Sequence, residues 1–85
     1  MTKWNYRIIR IKQDRKYAVP YIYEIREVYY NMDQKPDLWG EKAVSLSEFE
    51  YMDEVEDTVK LISLAVNKPV LEEVTRDGKV FLEEV

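Results

Sequence analysis

The chain has 85 residues, 46% of them apolar and 35% charged, with no histidine, no cysteine and a net charge of −4. That length closes one hydrophobic core and not two, so residues 1–85 are expected to form a single domain. Without His or Cys there is no disulfide framework, no thiol nucleophile, no imidazole base and no Cys- or His-ligated zinc, so neither an enzyme nor a cofactor is expected.

From Trp4 to Lys12, aromatic and β-branched residues read as a strand, with Trp4, Tyr6 and Ile8 on one face and Ile9 and Ile11 reaching the other. Asp14, Arg15 and Lys16 form the first turn. A longer strand is expected from about Tyr17 to Tyr30, placing Tyr21, Tyr23, Ile25 and Tyr29 on one side and Ile22, Val28 and Tyr30 on the other. Pro20 donates no backbone hydrogen bond, so the strand is an edge or bulged there. Turn formers run from Asn31 to Asp37, and a third short strand near Leu38-Trp39 and Ala43-Val44 would complete an antiparallel meander.

Ser45 and Ser47 each precede a glutamate by three residues, Glu48 and Glu50, and either pair could open a helix as a capping box. The expected helix carries a stripe at Phe49, Met52, Val55, Val59, Ile62 and Val66, with Leu61, Leu64 and Ala65 widening it. Acidic residues crowd its start, Lys60 and Lys68 come late, and Asn67 and Pro69 stop it. Two further strands flank Thr75-Arg76-Asp77-Gly78, where Asp-Gly is a strong hairpin signal. The expected class is therefore α+β: a three-stranded antiparallel β-meander with one helix packed on it, about residues 4–68, then a C-terminal β-hairpin, about residues 70–85.

Trp4-Asn5-Tyr6-Arg7-Ile8-Ile9, the Glu27-Val28-Tyr29-Tyr30 run with its acidic turn, Trp39, and Lys68-Pro69-Val70-Leu71-Glu72 together resemble a group of small uncharacterised bacterial and phage proteins. The likeness spans roughly residues 4–72 and implies a short β-meander, a following helix and nothing catalytic. This chain departs from the pattern at Gln34, where a turn glycine is usual, in a longer helix, and in the added hairpin of residues 70–85. In type alone, without a shared motif, it is similar to phage and mobile-element inhibitors, including anti-CRISPR proteins.

Chemistry would have to come from carboxylates, amines and hydroxyls. Glu50, Glu54 and Asp57 fall at i, i+4 and i+7 and share a helix face, but Met52, Val55 and Val59 define the buried side, which leaves the carboxylates on the solvated back. Asn31, Asp33 and Asp37 fail as a calcium loop because Pro36 and Lys42 stand where glycine and glutamate are needed, so no metal site is expected. Ser45, Ser47 and Ser63 have no base beside them in the sequence.

Charge is divided between the two parts of the chain. Residues 1–35 hold eight Lys and Arg against four Asp and Glu, whereas residues 36–85 hold five against thirteen. Either the halves neutralise each other in the fold or one of them presents a charged surface to a partner. Arg7, Arg10, Lys12 and Arg26, interleaved with Tyr21 and Tyr23, would suit a stacking platform for single-stranded nucleic acid. The acidic half, with Glu50, Asp53, Glu54 and Asp57 at its centre, would instead engage a protein, as a mimic of phosphate spacing or simply by its charge.

The expected function is that of a small acidic, non-enzymatic protein, cytoplasmic and away from membranes, which binds and occludes a partner protein as a monomer or homodimer. The resemblance in type narrows this to an inhibitor of a bacterial defence complex. The alternative is a nucleic-acid-binding module built on the basic, tyrosine-rich strands.

Overall fold

The computed structural model describes residues 3–14, 16, 18–45 and 49–85. In chain order it contains β1 (Lys3–Lys12), β2 (Tyr21–Tyr30), β3 (Pro36–Trp39), α1 (Met52–Ala65), β4 (Leu71–Arg76) and β5 (Lys79–Glu84). The α+β class holds, but the strands do not divide into a meander and a separate hairpin. They form one five-stranded mixed sheet in the order β3-β2-β1-β4-β5. β4 pairs parallel to β1, with Ile9 opposite Leu71 and Arg10 opposite Glu72. Parallel neighbours need a crossover connection, and α1 lies within it.

The register sorts the side chains into two faces, because directly opposed residues project the same way. Ile9, Val28, Leu71 and Leu82 lie on one face as the buried cluster, with Ile11, Tyr30 and Trp39 packed against it. β3 and β5 sit at opposite edges of the sheet yet touch each other, so the sheet curls around this core face. The Trp39 indole of β3 donates to Glu73 Oε1 of β4 at 2.9 Å, a bond that spans the curl. α1 packs on β1, and its Thr58 borders the same cleft as Tyr6 and Glu27, which places it over the opposite face.

Local chemistry explains where the elements end. Pro20 precedes β2 and its carbonyl accepts from the Gln13 amide at 2.8 Å, so β2 begins at Tyr21, later than expected, and contains no proline. After β2, the Asn31 side chain accepts from the amides of Asp33 and Lys35, and Gln34 takes a left-handed conformation (φ 62°) of the kind that glycine adopts most readily. The β4–β5 loop is the two-residue turn Asp77-Gly78 with φ of 52° and 77°, both in the left-handed region that a type I′ turn requires. β3 stops at Trp39, and the Val44 amide bonds instead to the Ile25 carbonyl at 2.8 Å.

The helix differs most from expectation. It starts at Met52, after Tyr51, whose side chain makes no capping bond; Ser47 and Glu48, one member of each expected capping box, lie outside the described residues. Its inward residues are Val55, Thr58, Ile62 and Ala65, of which Ala65 is fully buried. Met52, Val59 and Val66, assigned to the buried stripe from spacing, are 69%, 52% and 71% exposed. The face that meets the sheet is rotated toward the small side chains of Thr58 and Ala65, which allow close approach to β1.

Truncation should separate the two surfaces. Ile9→Ala is expected to cost about 2–5 kcal/mol in urea denaturation, as for other buried Ile-to-Ala changes. Val59→Ala should stay within about 0.5 kcal/mol of the parent, and Val59→Asp should fold. A large loss at Val59 would mean that the outer flank of the helix is packed.

Candidate functional site

Two surfaces were expected to carry function, and the fold treats them differently. The basic, tyrosine-rich strands are divided between the faces of the sheet. Arg7 opposes Arg26 on the core face, whereas Arg10, Lys12, Tyr21 and Tyr23 lie on the other. Two guanidinium groups directly opposite would repel, and they are drawn apart by separate partners. Arg7 Nη1 donates to Tyr30 Oη at 2.8 Å, Arg7 Nη2 donates to the Pro69 carbonyl at 2.7 Å, and Tyr30 Oη in turn donates to Asn5 Oδ1 at 2.8 Å. Arg26 donates through Nε and Nη2 to Glu24 Oε2 at 2.8 and 2.6 Å, through Nη1 to the Gly40 carbonyl at 3.1 Å, and lies 3.7 Å from Glu73.

Arg10 is also engaged. It makes a forked pair with Glu72, 3.2 Å from Nε and 3.4 Å from Nη2, and its guanidinium lies 4.2 Å from the Tyr21 ring centroid. The Glu72 hydrogen bond, reinforced by its charge, holds Arg10 above the ordinary arginine value. Of the six residues expected to form a nucleic-acid platform, Arg10, Lys12, Tyr21 and Tyr23 come together at one end of one face. Arg7 and Arg26 leave it for structural duties. Alternation along β1, which aligns Arg7 with Ile9, was the signal in the sequence that Arg7 points inward.

The same pairs answer the question of charge. Arg10 with Glu72 and Arg26 with Glu73 join cations of the first part of the chain to anions of the last. Arg76 pairs with Glu83 within the C-terminal hairpin. Two ion pairs on the sheet thus neutralise charge between the two parts of the chain.

This neutralisation does not reach the helix. Glu50, Asp53, Glu54 and Asp57 are all exposed, as is Glu56. Glu50 precedes Met52 and so does not share a helical face with Glu54 and Asp57 as its spacing implied. No group of three or more acidic residues among the described residues is placed to hold a metal ion. Interleaved with the carboxylates are exposed apolar side chains: Met52, Val59 and Val66 along one flank, and Leu61 and Leu64, 42% and 56% exposed, on the other side. The accessible surface of the chain is 7038 Å². A compact monomer of this mass would show about 5,400 Å², so roughly 30% more surface is left open than size alone requires.

Beneath the edge of the helix the aromatic residues form their own cluster. Trp4 meets Tyr6 edge-on with ring centroids 5.2 Å apart and lies 6.3 Å from Tyr29. Tyr29 Oη donates to Glu27 Oε2 at 2.9 Å. That bond raises the Tyr29 phenol, and burial, aided by the Glu27 charge, raises Tyr6. Phenols that resist ionisation in the folded state stabilise it below their unfolded value of about 10, and this contribution is lost as pH rises through the higher folded values. Stability should therefore decline above about pH 10, and Tyr29→Phe should make that decline shallower. Phenolate absorbance against pH, with urea midpoints at each pH, checks both; a Tyr29→Phe protein with an unchanged alkaline profile would refute the assignment.

Among the described residues, no helix is long and apolar enough to cross a membrane. No protein-family model, curated protein or solved structure matches the chain.

Proposed function

We propose that this is a non-enzymatic binding protein that occludes the surface of a partner protein through α1. The supporting observation is the composition of the open helix surface, where Met52, Val59, Leu61, Leu64 and Val66 are exposed among Asp53, Glu54, Glu56 and Asp57. Large apolar side chains left in solvent and interleaved with charge on an otherwise unused helix surface suit contact with another protein. Its acidity selects a partner with a basic rim, and the carboxylates would speed encounter and fix orientation while the apolar side chains supply most of the affinity. The narrower setting, an inhibitor of a bacterial defence complex carried by a phage or mobile element, rests on likeness in type alone, without a shared motif.

The test is affinity capture from bacterial lysate, with the parent chain compared against a variant carrying Glu50→Gln, Asp53→Asn, Glu54→Gln and Asp57→Asn together. A stoichiometric protein partner should be retained by the parent and by Arg10→Gln, and should be weakened at least about tenfold by the fourfold change. No binding to DNA or RNA is expected at physiological salt. Micromolar nucleic-acid binding that disappears in an Arg10→Gln, Lys12→Gln protein, and survives the fourfold change, would reverse the proposal.

A further inference from the structure

Arg7 is a buried cation without an anion. Only 6% of the residue is exposed, and the guanidinium forms no ion pair with a carboxylate among the described residues. Its two hydrogen bonds go to neutral acceptors, the Tyr30 hydroxyl and the Pro69 carbonyl, and Nε is buried with no partner. An arginine has five N–H donors and is never deprotonated in a protein, so the site keeps a full positive charge that neutral oxygens compensate only in part. A group held at such a cost is ordinarily paired.

The surroundings repeat the charge. Arg7 lines an open surface depression of about 310 Å³ together with Lys3, Asn5, Tyr30, Gln34 and Lys68. Among the described residues, three cations and no carboxylate border this space, in a protein whose net charge is −4. Everywhere else on the sheet the arginines are matched to glutamates: Arg10 to Glu72, Arg26 to Glu24 and Glu73, Arg76 to Glu83. Of the remaining lining groups, the side-chain amides of Asn5 and Gln34 can donate hydrogen bonds, whereas the Tyr30 hydroxyl proton is already given to Asn5. Gln34 reaches the depression from a left-handed backbone position that glycine would occupy with less strain.

We infer that this depression binds a phosphate group, as the phosphate monoester of a small molecule. A dianion matches three cations lining one depression better than a carboxylate does, and guanidinium and ammonium groups are the ordinary partners of phosphate oxygens. The hydrogen bonds from Arg7 to Tyr30 and Pro69, and from Tyr30 to Asn5, fix the guanidinium before any ligand arrives, so little ordering is needed on binding. The volume lies at the lower end of the range of small-molecule sites, about 300–1,000 Å³, which suits a compact ligand. The inference concerns a surface separate from the acidic residues of α1 and does not require that role.

Amide chemical shifts of the isotopically labelled full chain test it, in titrations with inorganic phosphate, a nucleoside monophosphate, the same nucleoside without phosphate, and potassium chloride at matched ionic strength. Saturable shifts at Arg7, Gln34 and Lys68 are expected with both phosphate-bearing probes, with a Kd of about 1 mM or tighter. Chloride and the bare nucleoside should produce none. In a Lys3→Gln, Lys68→Gln protein, both exposed changes that should leave the melting temperature unaltered, phosphate affinity should fall at least about tenfold. Shifts that chloride reproduces, that the bare nucleoside also induces to saturation, or that the double variant retains in full would overturn the assignment.

Discussion

Strand β1 holds the molecule together because both of its edges are taken, β2 on one side in antiparallel pairing and β4 on the other in parallel. The second seam is short, with only Ile9–Leu71 and Arg10–Glu72 in register, yet the rest of the fold depends on it. It buries Ile9 and Leu71 side by side at the centre of the core cluster. It is reinforced on both faces of the sheet, by the Arg10 fork to Glu72 on one and by Arg7 reaching the Pro69 carbonyl just ahead of β4 on the other. Once β4 is seated, β5 follows through a tight turn, the sheet can curl until β3 and β5 touch, and α1 is drawn across β1 as the crossover.

That seam also allocates the charges. Arg7, Arg10 and Arg26 all serve to join the first strands to the last ones or to the loops between them, which removes them from any continuous basic surface. Glu72 and Glu73 are spent on the same contacts and Glu83 on Arg76 within the hairpin, and five open carboxylates fall together between Glu50 and Asp57 at the start of α1. A helix that buries one alanine fully and leaves four larger apolar side chains in solvent contributes little to the core relative to its length. Its outer surface is thus the surface that has not been used by folding, which is why the proposed partner is assigned to it and not to the strands.

Much of this was legible in the residues. Alternation in β1 and β2 correctly divided Trp4, Tyr6 and Ile8 from Ile9 and Ile11, and Tyr21, Tyr23 and Ile25 from Ile22 and Val28, because a period of two leaves each side chain one choice of face. Asp77-Gly78 announced its turn through the two left-handed conformations it requires. The parallel union of β4 with β1 was not legible: it joins residues 62 apart, and no local pattern records which existing strand a hairpin will join. The helix face was misplaced for a related reason. Val55 and Ile62 belong to two overlapping stripes, one completed by Met52, Val59 and Val66 and the other by Thr58 and Ala65, and hydrophobicity favours the first while close packing on β1 selects the second. The depression around Arg7 drew together Lys3, Gln34 and Lys68, whose proximity exists only after the strands have paired.

Native-state amide hydrogen exchange tests the role of the β1–β4 seam most directly, since it reports which parts of a fold open separately. If β4 and β5 are integral to the sheet, the protected amides of Leu71 and Glu72 should exchange only with global unfolding, at the same free energy as those of Ile8 and Ile9 and with the same dependence on denaturant. If the hairpin instead opens on its own, with Leu71 and Glu72 exchanging at a free energy well below that of β1, then the C-terminal strands are an appendage and the seam does not hold the fold.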